Sequence, residues 1–576
     1  MCCVTFLNKN MKTYVKKGTR LLDCIREAGL RSEEHTSELQ SGLNVETFCG
    51  GSGKCGKCKI MAFGKLSPKT VEEYDLAKGE NVRLSCMAKI EGDVSVRLFQ
   101  KGSGLKTVNR GYCKNVEIKS EFKKISITSI SDYEVNDLEV LKKLGLLKKK
   151  GSDKIEGILF KNVLLDVGER LGNILGAAVD IGTTGISAYL IDLEDGRVLK
   201  RVSGLNPQTK YGGDVISRIN YSMENEGGSE VLSRCIREKI DYMIGELVGK
   251  NYKRNEIYRV SIAANTTMLH LFLGVKADSI AVFPYKAVFL NMLNLKAGEL
   301  DIHINGRGFV TVLPSASPYI GADIISGIVA VDFYRKTAPS LFIDIGTNGE
   351  IVAVYGGKMV ACSTAAGPAL EGMNIDCGMR AEQGAIDNFN INENYGINYT
   401  TIGNKEASGI CGSALLDIGA AFLERGIITK TGRFNRTLPE KIRDRLSGKK
   451  FYITDRVFIS QRDIRQIQLA KGAICSGMEM LLKEMDIDIK NIEEIVIAGA
   501  FGYHINAESI KKIGLIPKGF RGNISFVGNS SVEGARMAIV NKDKLHKMNE
   551  IRKSIDVVEL SLKDDFQDYF IKALNF

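Results

Sequence analysis

The sequence predicts a multidomain chain that joins an α+β domain built around a cysteine-rich loop to a larger α/β domain built twice on one plan. Three observations predict it. A C-x5-C-x2-C loop with a distant fourth cysteine follows a strand, strand, helix pattern, and two copies of an apolar strand enter D-I-G-T-x-G 164 residues apart. The length, 576 residues, is too great for one ordinary core, since globular domains usually run about 100 to 200 residues. The expected division is 1–100, 101–172 and 173–576, the last comprising two subdomains.

Hydrophobic residues at 44%, charged residues at 26% and only 9 prolines exclude extensive disorder and collagen-like structure. The start, MCCVTFLNKNMKTYVKKGTRLL, has no signal-like apolar core, and no apolar run anywhere is long enough to span a bilayer. A cytoplasmic protein with no membrane partner is therefore expected, and in such a chain the 13 cysteines read as reduced thiols or ligands. The net charge of +11 arises from 79 basic and 68 acidic residues spread along the chain, with one short run at Lys148, Lys149 and Lys150. That run reads as a solvated face. No nucleic-acid motif accompanies it, so at most the charge favours an acidic protein partner.

In the first domain, residues 4–16 alternate in strand fashion around a turn at Asn8 to Asn10. Thr19 then offers an N-cap to a helix through Leu21, Leu22, Ile25 and Ala28 that Gly29 ends. In FCGGSGKCGKCKI, Gly50, Gly51, Gly53 and Gly56 let the backbone wrap tightly and aim amides at sulfide. A zinc ribbon also uses four thiolates but normally shows two C-x2-C pairs, so Cys49, Cys55, Cys58 and Cys86 are assigned to an iron–sulfur cluster. The spacing resembles that of [2Fe-2S] ferredoxins, with one more residue between the first two ligands than the plant-type pattern. GDVSVRL (92–98) makes a last strand, and a Lys/Gly/Ser stretch at 101–110 is a linker. The other cysteines lack ligand spacing; Cys24, on the helix, belongs to the core.

One segment does not belong. RSEEHTSELQS, beginning at Arg31, reads as one frame of a common sequencing-adapter oligonucleotide. Excising 31–43 joins AGL to NVETFCGG, a natural helix-to-cluster connection, so 31–43 is assigned to an assembly artefact and His35 is not a ligand.

Residues 111–172 are lysine-rich, with a strand-like KKISITSI and a helical LEVLKKLGLL, and carry no evident chemistry. Beyond Gly176 come apolar strands broken by glycine turns. In DIGTTG, Asp180 precedes a turn through Gly182, Thr183, Thr184 and Gly185 whose amides and hydroxyls can hold phosphate, while the carboxylate can hold Mg2+ through water. DIGTNG repeats the device with Asp344, Gly346, Thr347 and Asn348, so two facing subdomains can clamp both ends of a triphosphate. In EIVIAGAFG, Gly499, Ala500, Phe501 and Gly502 would let an adenine ring lie against the backbone. No Walker P-loop is present.

This trio, in this order, resembles the phosphate-1, phosphate-2 and adenosine motifs of the actin, sugar-kinase and heat-shock-chaperone ATPase superfamily. SQRDIRQIQLAKGAICSGMEMLL, opening with a Ser460/Asp463 capping pattern, is similar to that superfamily's connecting helix. Narrower likeness lies in NPQTKYGGDVISRI (206–219), AANTTMLHLFLG (263–274), STAAGPALEGMNIDCGMRAEQGAI (363–386) and SGICGSALLD (408–417), which resemble the reductive activators of corrinoid proteins. The resemblance implies a ferredoxin-like β-grasp domain, a small middle domain and a duplicated ribonuclease-H-like ATPase domain. It implies a [2Fe-2S] cluster, ATP and Mg2+, and one-electron return of cobalt(II) to cobalt(I). The partners it implies are a corrinoid protein, either a corrinoid iron–sulfur protein or the corrinoid subunit of a methyltransferase, and an external low-potential donor; a homodimer is compatible. Asp214 and Glu371 are the candidates for positioning the attacking water.

Three other readings fit parts of the chain. A kinase on the same fold leaves the ferredoxin domain unexplained. A dehydratase-activator-type ATPase would bridge two subunits with a [4Fe-4S] cluster, for which Cys362 or Cys411 would serve. An ATP-gated redox-sensing scaffold would deliver no electron to cobalt.

Overall fold

The computed structural model describes residues 1–7, 11–28, 51, 53, 56, 58–77, 79–98, 115–127, 133–150, 154–499 and 505–576. The 31–43 segment, the turn at Asn8 to Asn10, the linker at 101–110, Cys49, Cys55 and Ala500 to Gly502 fall outside them. Two compact units partition the chain, one comprising Met1–Leu105 with Leu205–Ile236, the other Lys106–Gly204 with Arg237–Phe576.

In the first unit, β1 (Cys2–Phe6) pairs antiparallel with β2 (Met11–Val15) and parallel with β5 (Ile90–Arg97). With β3 (Lys59–Leu66) and β4 (Val82–Leu84) they form a five-stranded sheet of order β2-β1-β5-β3-β4. Alternate residues Cys2, Val4 and Phe6 face inward, and the helix Leu21–Glu27 adds Leu21, Cys24 and Ile25 to the same core. Cys24 is thus core, as expected, and burial pushes its thiol up to about 11. The helix begins one residue later than the sequence implies, which puts Arg20 rather than Thr19 at its N-cap. Thr19 is held instead by its carbonyl, which accepts the Ile90 amide at 2.9 Å.

In the second unit, β6 (Phe122–Ser126), β7 (Glu156–Phe160) and β8 (Val163–Gly168) form a small sheet under the helix Leu138–Lys149, which buries Val140, Leu144 and Leu147. The rest repeats one plan. In the first half, β9 (Leu175–Ile181), β10 (Gly185–Asp192) and β11 (Val198–Leu205) lie in consecutive order, and β9 then pairs parallel with β12 (Ile257–Ala264). Beyond β12 come β14 (Phe309–Val312) and β13 (Leu293–Lys296). In the second half, β15 (Ser340–Ile345), β16 (Gly349–Tyr355) and β17 (Lys358–Thr364) form the antiparallel part. There β15 pairs parallel with Glu494–Ala498, and that strand with Asn523–Gly528. All eight residues of β12 are buried, as a central parallel strand covered on both faces requires.

A helix follows the last parallel strand of each half: Ala322–Ala330 in the first, Ser530–Val540 in the second. The two pack against each other so closely that a Cβ at Gly534 would lie 2.2 Å from the Ser326 carbonyl oxygen. Among the described residues no helix is long and apolar enough to cross a membrane.

Candidate functional site

Two sites emerge, one in each unit. In the ferredoxin-like unit, Cys58 stands just before β3 and Cys86 in the turn after β4, and the Ser85 amide donates to the Cys58 carbonyl at 3.0 Å. Both thiols are buried, with their Sγ atoms 3.2 Å apart. Two thiolates sharing one tetrahedral metal at bonds of about 2.3 Å would lie about 3.7 Å apart, so this pair needs only a small adjustment to hold one iron. Gly51, Gly53 and Gly56 have φ of +91°, +77° and +66°, the left-handed conformations that a loop wrapped around a cluster demands. On this chemistry the residues fit an iron–sulfur group.

A buried ion pair braces the strand that leads to Cys86. The Arg83 guanidinium donates to both oxygens of Glu73, at 2.8 and 2.9 Å, and the Leu84 amide donates to Glu73 at 2.9 Å. Burial alone would raise the Glu73 carboxyl, but the Arg83 fork and the Leu84 and Thr70 amides outweigh it and hold it below the usual range.

The second site joins the two halves of the larger unit. Each D-I-G-T-x-G motif is a hairpin: β9 to β10 turns between Ile181 and Ile186, and β15 to β16 between Ile345 and Gly349. The first turn is thus four residues long and the second three, a difference the similar motifs do not announce. Asp180, one residue before the end of β9, has its carboxylate held by second-half residues, Asn529 Nδ2 and Ser531 Oγ, each donating at 2.8 Å. Burial raises its carboxyl, and those two bonds offset part of the rise. Asp344 is pushed up to about 7 by burial and by the charges of Asp180 and Glu371.

Glu371 sits in the 3₁₀ turn Pro368–Glu371 that follows β17, with its two oxygens on the two D-I-G-T-x-G turns. Thr184 Oγ1 donates to Oε2 at 2.9 Å and Thr347 Oγ1 to Oε1 at 3.2 Å. Thr183 accepts a bond from Asn265 Nδ2 at 3.3 Å. Gly499, at the end of its strand, has φ +119°, and a Cβ there would meet the Ile345 carbonyl oxygen at 2.4 Å; only glycine fits beside the second loop.

Three carboxylates and amides that matter here escaped the sequence reading. Asp323, in the first turn of Ala322–Ala330, is raised by burial and by the charges of Asp344 and Asp180. Glu350 stands directly across from Asp344 in the β15/β16 ladder and is raised by burial and by the Asp323 and Asp344 charges. Asn529 caps the helix Ser530–Val540, a signal legible in the Asn after the apolar ISFVG, and Gly321 before Asp323 similarly marks a helix start. Each of these acids keeps part of its surface open to solvent, so a cation could reach them. Among the described residues no three or more His, Cys, Asp or Glu side chains converge at ligand distance.

Asp214 takes a different part. It caps the helix Val215–Glu224, its carboxylate accepting the Ser217 amide at 2.7 Å in a capping box. Cys362 and Cys411 are buried, 0% and 5% exposed, with thiols raised by burial. A cluster bridging two subunits needs ligands at the surface, whereas both cysteines are buried here.

Comparison with known proteins gives this architecture its family. The chain is 30% identical over 574 residues to the corrinoid activation enzyme RamQ of Eubacterium limosum, covering 93% of this chain and 94% of that one. The chain belongs to the family of reductive activators of corrinoid proteins. Residues 175–336 match the family model described as the RACo middle region, and 338–576 the one described as the C-terminal domain of RACo, the ASKHA domain. Their boundary falls just before β15, where the second half of the duplicated fold begins. A solved reductive activator for a corrinoid iron–sulfur protein superposes with a TM-score of 0.73 at 29% identity, covering 100% of this chain and 98% of that one. The [Co(II) methylated amine-specific corrinoid protein] reductase of Methanosarcina barkeri is 27% identical over 70% of this chain and 77% of its own. The chain is also 32% identical over 68 residues to 2Fe-2S ferredoxin-5 of Aquifex aeolicus, covering 10% of this chain and 71% of that protein. A [2Fe-2S] domain and an ASKHA ATPase domain are therefore both part of this activator's make-up.

Proposed function

We propose that this protein reductively activates a corrinoid protein, passing one electron from a [2Fe-2S] cluster to cobalt(II) to give cobalt(I), with ATP hydrolysis gating the transfer. The likeness to RamQ over nearly the whole of both chains carries the reading. Cys49, Cys55, Cys58 and Cys86 would hold the cluster, which would supply the electron and be re-reduced by an external low-potential donor. A centre near the plant-ferredoxin potential of about −400 mV is a poor donor to a lower-potential couple. Each 100 mV uphill costs about 2.3 kcal/mol per electron. ATP helps only by binding one state of the complex better than another, so its part is to favour the arrangement in which cobalt is easier to reduce.

In the nucleotide site, the loops Gly182 to Thr184 and Gly346 to Asn348 take the phosphates, and Asp180 and Asp344 hold Mg2+ through water. Gly499, Ala500, Phe501 and Gly502 receive the adenine. Asp323 is the acid assigned to orient and deprotonate the attacking water: it is fixed at a helix start and feels the charges of both aspartates. The Asp214 side chain braces its own helix.

The test is the spectroscopic appearance of cobalt(I) under strict anaerobiosis, using a corrinoid methyltransferase subunit or corrinoid iron–sulfur protein with chemically reduced wild type, Asp344→Ala and Cys58→Ala. Cobalt(I) should form with ATP and wild type alone. Asp344→Ala should keep its cluster absorbance, and Cys58→Ala should keep nucleotide binding. Equal cobalt(I) yield with and without ATP at limiting donor potential refutes the coupling.

A further inference from the structure

We propose that Glu371 is a latch rather than the residue that positions water: its carboxylate ties the two phosphate loops together and competes with the nucleotide for their hydroxyl protons. The inference rests on reading this cleft as the nucleotide site. Thr184 belongs to the hairpin of the first half, whereas Thr347 and Glu371 belong to the second, so the Thr184 bond at 2.9 Å crosses from one half to the other. A threonine hydroxyl carries one proton. The proton that Thr184 or Thr347 gives to Glu371 is not available to a phosphate oxygen at the same time. A carboxylate presents two anionic acceptors much as a phosphate does, and Glu371 places one on each loop.

The post that carries it is stiff. A Cβ at Gly412 would lie 1.8 Å from the Leu370 carbonyl oxygen, so the turn holding Glu371 lies hard against the start of the helix Gly412–Glu424. Gly372, immediately after, has φ +77°. With the backbone so confined, the carboxylate yields to phosphate by rotating its side chain and releasing both hydroxyls together. Nucleotide binding then exchanges an internal tie between the halves for one made through the polyphosphate. A catalytic base would be aimed at the attacking water instead of being committed to two loop hydroxyls.

The experiment measures the affinity of full-length protein for the Mg2+ complex of a non-hydrolysable ATP analogue, with ATP hydrolysis followed in parallel. The proteins are wild type, Glu371→Ala, Glu371→Gln, the pair Thr184→Val with Thr347→Val, and that pair combined with Glu371→Ala. Hydrogen bonds to a charged group are among the stronger ones, so loss of the competitor should tighten binding about tenfold or more in Glu371→Ala. Glu371→Gln, which conserves shape and guards against a folding defect, should fall between. In the double-valine background the same Glu371→Ala change should alter affinity by less than about twofold, because the bonds it would release are already gone. Unchanged or weaker binding in both Glu371 variants overturns the latch, as does lost hydrolysis without tighter binding. A gain that persists undiminished in the double-valine background also overturns it, assigning the effect to charge alone. No analogue binding by wild type and every variant would instead sink the nucleotide reading, and the latch with it.

Discussion

Replacing Arg83 with Leu should loosen the cluster domain far more than a surface ion pair would allow. Glu73 is 0% exposed and its partner's side chain 8%, so neither charge is screened by water. Without Arg83, the Glu73 carboxylate keeps the Leu84 amide at 2.9 Å and the Thr70 amide at 3.2 Å, but no counter-charge. Breaking a buried pair from one side typically costs about 3–5 kcal/mol. At a urea dependence of about 1.5 kcal/mol per molar for a domain of this size, the midpoint should fall by about 2–3 M. Because Leu84 leads directly to Cys86, the visible absorbance of the cluster in anaerobic protein is the probe. It reports this unit without requiring the whole chain to unfold in one step. Replacing both residues with Leu should recover much of the loss, since no stranded charge remains. Acid supplies a second signature: the folded-state carboxyl of Glu73 lies below its unfolded value. Its contribution is therefore complete above about pH 4.3 and is lost as pH falls through the folded value. An Arg83→Leu midpoint within 0.5 M of wild type, a shift of under about 1 kcal/mol, would refute the reasoning.

Asp323→Asn should lower ATP hydrolysis by about 10²–10⁴-fold while analogue binding persists. Asp214→Ala should cost only about 1 kcal/mol of helix capping and leave turnover within threefold, as stopped assays at saturating ATP would check. His270 is buried, its Nδ1 at 2.7 Å from the Thr266 carbonyl and its Nε2 accepting the Val288 amide at 3.1 Å, and burial holds its pKa below the ordinary value. Its contribution is present above about pH 6.5 and lost as pH falls through the folded value, when Nε2 must take a proton and give up Val288. Thermal midpoints should drop on acidification in wild type and flatten in His270→Gln; parallel slopes would contradict this. Deleting 31–43 should leave two irons and two sulfides per chain, since a polar insertion in a connection costs little loop entropy and adds no core. An apo protein after deletion would overturn the artefact assignment.

The sequence alone carried the order of the domains' chemistry. Cysteine spacing needs no tertiary knowledge because a metal imposes it, and Cys58 and Cys86 do lie together. The two D-I-G-T-x-G turns announced a duplicated fold because the same strand-and-turn device met twice, 164 residues apart, implies two similar subdomains, and five strands of each large sheet repeat one order. The capping box at Ser460 and Asp463 was equally local and stands as read, the Asp463 amide donating to Ser460 Oγ at 3.2 Å.

What only the tertiary structure decided is which groups from distant segments share one electrostatic neighbourhood. Asp180 meets Asn529 and Ser531 across about 350 residues of chain, with separations of 349 and 351, and no local pattern ties those positions together. Asp323 reads as an ordinary acid in a helix's first turn until the fold puts it under the charges of Asp344 and Asp180, each on a strand distant in sequence. Asp214 and Glu371 looked alike in sequence, each an acid in a glycine-containing motif. The fold separates them, because one satisfies amides of its own helix while the other spans two loops from opposite halves. Hydrogen-bond capping is settled within a few residues of backbone, whereas burial and charge coupling depend on what the rest of the chain places nearby.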